Sequence, residues 1–124
     1  MLTGEIKSPA DIPDGDFRKS IPRFFPENFP KNLELVKELQ KIAKKRGGIT
    51  PAQLAISWVR SLSENDGNPV IIPIPGATKE ERVFENAKEI TLSPEDIEEI
   101  DSILKSFKVE GGRYGGPLAA LMDG

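Results

Sequence analysis

From Lys31 to Arg46 the apolar positions fall at Leu35, Leu39, Ile42 and Ala43, with Val36 beside them. That stripe has helical spacing and predicts an amphipathic helix. Lys44, Lys45 and Arg46 suit the negative end of its dipole, and Gly47-Gly48 offers a left-handed stop. Thr50-Pro51-Ala52-Gln53 reads as a second start, with threonine as cap, proline first and glutamine three residues after the cap. Leu54, Ala55, Trp58, Val59 and Leu62 make the apolar face that follows, and Ser63 to Asn68 forms a polar turn with an Asp66-Gly67 pair.

Val70-Ile71-Ile72 breaks the helical period. It is short, β-branched and apolar at every position, which predicts a buried parallel strand ended by Pro73, Pro75 and Gly76. Thr78 to Glu81 repeats the capping pattern and predicts a third helix to about Lys88. Ser93-Pro94-Glu95-Asp96 opens a fourth, with Ile97, Ile100, Ile103, Leu104 and Phe107 on one face. Helix and strand thus alternate, yet one parallel strand has unpaired groups on both edges, each costing about 1–3 kcal/mol if buried. The pattern reads as part of a larger sheet.

The ends differ. Residues 1–30 carry prolines at 9, 13, 22, 26 and 30, which predicts an irregular loop. Its Ile12, Phe17, Ile21, Phe24, Phe25 and Phe29 are too apolar for a free linker and need a packing surface. Residues 31–106 hold the helices and the strand. The tail, 107–124, is glycine-rich from Gly111 and apolar from Leu118 to Met122.

Composition narrows the chemistry. The 124 residues are 37% hydrophobic and 30% charged, enough for one modest core. A net charge of −3 argues against binding nucleic acid or an anionic membrane, and no apolar run approaches a membrane span. No leader pattern opens the chain, so a cytoplasmic location is expected. With no cysteine and no histidine, disulfides, thiolate chemistry and the commonest general base and zinc ligand are excluded. The acidic run Glu95-Asp96, Glu98-Glu99, Asp101 reads as a solvated face rather than a metal site, and Trp58 as core.

The turn after the strand carries the candidate binding chemistry. Gly76 permits close approach to the backbone, and the free amides of a helix starting at Thr78 attract phosphate. Arg82, Glu85 and Asn86 share one side of that helix. A guanidinium, a carboxylate and an amide in that order suit a phosphorylated adenosine, with phosphate or ring face on arginine and the ring amine on glutamate and asparagine. The same residues also suit a capped helix with a solvated charged face.

Ile74-Pro75-Gly76-Ala77-Thr78, Arg82 and Glu85-Asn86 resemble the last-strand cofactor motif of the aldo-keto reductases. Thr50 to Val59 resembles that family's preceding helix. Leu2-Thr3-Gly4, Asp16-Phe17-Arg18 and Pro22-Arg23-Phe24 are similar to the loop after its seventh strand, and Leu92-Ser93 to Ile103 to its C-terminal helix. The likeness covers nearly the whole chain and is nearest to the fungal branch with pyridoxal reductase-like enzymes.

The resemblance implies an α/β fold, the C-terminal portion of a (β/α)₈ TIM barrel. It implies NADPH-dependent reduction of small aldehydes or ketones, with Gly76, Thr78, Arg82, Glu85 and Asn86 at the adenosine and 2′-phosphate end of NADP. Arg18 or Arg23 would approach the pyrophosphate, and Glu5 stands where many relatives carry a basic residue. The family's catalytic tyrosine, lysine, aspartate and histidine come from the other half of the barrel. Tyr114, the sole tyrosine, matches no catalytic position, so no catalytic residue is assigned here. The alternative is a non-catalytic interaction module that pairs with a full-length reductase or another partner through exposed apolar faces.

Overall fold

A computed structural model describes residues 1–64 and 67–115. Four α-helices carry the fold: α1 (Phe29–Lys45), α2 (Pro51–Ser61), α3 (Glu80–Ala87) and α4 (Pro94–Ser106). α1 packs on both α2 and α4, and α3 leans on α2. The predicted stripe of α1 supplies Leu35, Leu39, Ile42 and Ala43 to a core that Leu54 of α2, Leu92 and Ile100 of α4 complete. Trp58 packs against this core, partly buried, and its indole N–H donates to Asp101 Oδ1 at 3.0 Å.

The starts and stops follow the capping chemistry. Thr50 and Gln53 cap each other reciprocally, as do Ser93 and Asp96. Gly47 and Gly48, both at φ 78°, end α1 in the left-handed region. α1 starts two residues before Lys31, because Pro30 occupies the first turn, where a missing N–H costs nothing.

Residues 1–28 are a wrapped segment built from three 3₁₀ turns, Pro9–Asp11, Phe17–Ser20 and Pro22–Phe24. Ile6, Ile12 and Phe29 form a second small core beneath it, with Phe24 stacked on Phe29 at 5.9 Å between ring centroids. Phe17 stays exposed. Asn32, buried on α1, fastens both ends of the chain: its Nδ2 donates to the carbonyls of Arg23 (3.1 Å) and Glu110 (2.9 Å), and its Oδ1 accepts from Glu110 N–H (2.9 Å). Gly111 follows at φ 82°, where a Cβ would lie 2.7 Å from the Pro22 carbonyl carbon, so glycine is required there.

The predicted strand is corrected. Val70-Ile71-Ile72 joins no sheet, and among the described residues there is no strand. Val70 is 83% and Ile72 77% exposed. A parallel strand exists only through ladders to neighbours, and none lies beside it. Only the Ile71 N–H finds an acceptor, Ser63 Oγ at 2.8 Å. The helical part of the α/β expectation stands without its strand. The apolar tail end, Leu118 to Met122, and Asp66 of the polar turn lie outside the described residues.

Candidate adenosine-binding site

α3 begins at Glu80 rather than Thr78. Lys79 is its N-cap and makes no side-chain bond, and Thr78 is exposed without capping anything, so the predicted Thr78–Glu81 box is not formed. With eight residues the helix is too short to persist alone. Glu80 and Glu81 in its first turn favour the positive end of its dipole. Gln53 of α2 pins the other end, its Nε2 donating to the Glu85 carbonyl at 3.1 Å.

Two of the five expected site residues come into contact. Arg82 Nη1 donates to Glu85 Oε2 at 2.6 Å, one turn along the helix. Gly76 and Thr78 lie on the exposed segment leading in, and a Cβ built on Gly76 meets nothing within 4 Å. Nothing in the chain itself therefore demands glycine at 76. Asn86 lines an open cleft with Pro73, Pro75, Ala77, Val83 and Ala87.

A residue that pattern reasoning did not bring to the site is Glu5, which pairs with Arg82 Nη2 across 77 residues of chain. A carboxylate so far away in sequence leaves no periodic signal; the one clue was the family resemblance, in which Glu5 stands where many relatives carry a basic residue. The guanidinium thus sits between two carboxylates and keeps about two-fifths of its side chain in solvent.

Glu85 is the more buried partner, with 16% of its side chain exposed. Its Oε2 takes Arg82, while Oε1 is buried without a hydrogen-bond partner among the described residues. The nearby Thr50 hydroxyl, and after it Arg82, hold the carboxyl below the usual glutamate range. A carboxylate offers about four lone-pair sites, so beside Arg82 and the Thr50 hydroxyl it keeps capacity to accept a further donor. A ring amine or a sugar hydroxyl is such a donor, and the free N–H groups of Arg82 suit a phosphate.

Arg18 and Arg23, expected near the pyrophosphate, each bond within the chain. Arg18 is tied to Asp16 through Nε (3.0 Å) and Nη2 (2.7 Å), which holds the Asp16 carboxyl down to about 2. Arg23 Nε donates to the Gly111 carbonyl at 3.2 Å. The acidic run of α4 is not uniformly solvated: Asp96 accepts from Ser93 and pairs with Arg46, Glu99 pairs with Lys45, and Asp101 accepts from Trp58. Among the described residues no cluster is fit to hold a metal ion, and no helix is long and apolar enough to cross a membrane.

The profile of the Aldo/keto reductase family matches residues 1–105. A Schizosaccharomyces pombe protein named as an NADP(+) aldo-keto reductase, yakc, is 44% identical over 92% of the chain and 32% of its own length. The Saccharomyces cerevisiae protein named "Putative pyridoxal reductase" is 43% identical over 92% of the chain and 35% of its own length. The aldo-keto reductase str7 of Strobilurus tenacellus is 35% identical over 99% of the chain and 35% of its own length. The chain therefore spans about a third of the length of the curated relatives it matches. No solved structure matches it.

Proposed function

The chain belongs to the aldo/keto reductase family, and from that premise we propose that it supplies the adenosine and 2′-phosphate end of an NADP(H) site. The observation that carries this is the Arg82–Glu85 pair. It joins a partly exposed guanidinium, suited to phosphate, to a largely buried, ionised carboxylate one turn along the same helix. Arg82 takes the 2′-phosphate, Glu85 Oε1 and Asn86 receive the adenine amine, and Gly76 and Thr78 leave the approach open. NADP(+) in the name of the yakc relative supports the choice of cofactor.

When bound, NADPH provides the hydride for a carbonyl carbon. This chain binds and orients the far end of the cofactor, and the rest of a (β/α)₈ barrel, of the kind that fills the relatives' remaining length, provides the proton donor. The relative named for pyridoxal reduction supports a small aldehyde as substrate. The exposed Val70, Ile72 and Ile74 support completion by neighbouring strands.

The test is titration of the chain with adenosine 2′,5′-bisphosphate and with 5′-AMP, followed by backbone chemical shifts, before and after Arg82→Ala. A charge-assisted contact is worth about 1.5–3 kcal/mol, so the variant loses roughly 10- to 150-fold in affinity for the bisphosphate and little for 5′-AMP. Equal losses for both probes place Arg82 away from the 2′-phosphate and overturn the assignment.

A further inference from the structure

We infer that Glu5 is a selectivity residue of the adenosine site, a carboxylate of the chain that occupies Arg82 in competition with a ligand's 2′-phosphate. This rests on the adenosine-site assignment above and adds a residue to it.

The position of Glu5 is set by its neighbours on both sides. Before it, Gly4 turns at φ 75° and its N–H bonds to the Met1 carbonyl at 3.0 Å. A Cβ on Gly4 would lie 2.4 Å from Gln40 Nε2 of α1, so the turn is pressed against that helix. After it, Ile6 is buried in the second core. Between these two anchors the Glu5 side chain projects, 60% exposed, onto Arg82 Nη2.

The electrostatics then favour competition over cooperation. Arg82 already has Glu85, which shares its helix and is ionised through the usual pH range. Glu5 is a second carboxylate on a single guanidinium, so the pair of acids outweighs the base by one charge. A phosphate carrying up to two negative charges enters this place only if Glu5 leaves, and a carboxylate remaining within a few ångströms repels it. Glu85 has no such freedom, because its carbonyl is held by Gln53 and most of its side chain is buried. Glu5 is the mobile member and Glu85 the fixed one. A ligand with an unphosphorylated ribose does not compete for Arg82 and is indifferent to Glu5.

The chain, its Glu5→Gln variant and its Arg82→Ala variant are titrated with adenosine 2′,5′-bisphosphate and with 5′-AMP by chemical-shift perturbation. Glu5→Gln is expected to tighten the bisphosphate on the order of fivefold and to leave 5′-AMP unchanged, as loss of an exposed pair and of a like charge predicts. Glu5→Lys extends the same gain. Glu5 is exposed, and an unchanged helical signal checks that each variant folds like its parent. If Glu5→Gln moves both probes equally or neither, while Arg82→Ala still removes the preference for the bisphosphate, the role of Glu5 is overturned and the adenosine site survives. If neither the chain nor Glu5→Gln binds the bisphosphate, the adenosine site fails and Glu5 with it.

Discussion

Gln53 and Glu85 join α2 to α3 through one bond, Gln53 Nε2 to the Glu85 carbonyl at 3.1 Å, while the same glutamine closes the cap of its own helix. Gln53 Oε1 accepts from the Thr50 N–H, so both ends of the amide are used and the side chain is only 8% exposed. Gln53→Ala removes both bonds and is expected to cost about 1–2 kcal/mol. Gln53→Glu keeps the acceptor for Thr50, loses the donor for Glu85 and should loosen α3 more than α2. Denaturant unfolding gives the first figure, and amide exchange at residues 80–87 reads the second; equal protection in Gln53→Glu and the parent contradicts the tie.

The role of Asn32 is of the same kind but bears on the chain ends. Its three hydrogen bonds reach Arg23 and Glu110, and its side chain is 2% exposed. Asn32→Leu keeps the branched shape, though not the volume, and leaves two carbonyls and an N–H without partners, so a loss of about 2–3 kcal/mol is expected. The tail should detach first. Limited proteolysis is predicted to cut after Lys108 or Arg113 much faster in the variant, and unchanged cutting would show that the tail is held by something else.

The helices were legible in the sequence because each announces itself within a few residues. The α1 stripe, the Thr50–Gln53 and Ser93–Asp96 boxes and the Gly47-Gly48 stop are local signals, and each is realised. The strand was misread for a related reason. Val70-Ile71-Ile72 carries the composition of a buried strand, but pairing is a property of neighbours, and the run stays exposed without them. At the site, Arg82 and Glu85 share a helix and their contact follows from spacing, whereas Glu5 is 77 residues from Arg82 and spacing says nothing of it. Thr78 failed as a cap because the chain stays extended one residue further, to Lys79.

Acid should loosen the site before it loosens the core. The Thr50 hydroxyl and Arg82 lower the Glu85 carboxyl in the folded chain. A group with a depressed folded pKa contributes stability that is present above its unfolded value, about 4.3, and is lost as the pH falls through the folded one. Protonating Glu85 is therefore expected to release Arg82 and α3 only at a pH below the ordinary glutamate range. Asp16, held to about 2 by Arg18, keeps its loop contact to lower pH still. Side-chain carboxyl shifts followed by NMR give both midpoints. Thr50→Val and Arg82→Ala should each raise that of Glu85, and a midpoint at the ordinary glutamate value in the parent would contradict the arrangement.

The segment after α2 carries the clearest liability of the chain. Val70, Ile72 and Ile74 are 83%, 77% and 92% exposed, and Phe84 on α3 adds 69%. Pro69, Pro73 and Pro75 have no N–H to offer a ladder and Ile71 is already bound to Ser63, so Val70, Ile72 and Ile74 carry the donors a neighbouring strand would use. Unpaired donors and exposed apolar side chains in one short segment are the features that drive association. The chain alone is expected to show a strong helical signal, a broad thermal transition, binding of a hydrophobic dye and a concentration-dependent increase in size. Ile72→Lys places a charge at the centre of the exposed edge, where the parent side chain has little to lose, and charged residues are how natural edges avoid pairing. The variant should bind less dye and stay smaller in sedimentation at the same concentration, with its helical signal unchanged. If size and dye binding match the parent, the Val70–Ile74 edge is not the surface through which copies meet. A loss of helical signal instead would mean that Ile72 supports the core, against an exposure of 77%.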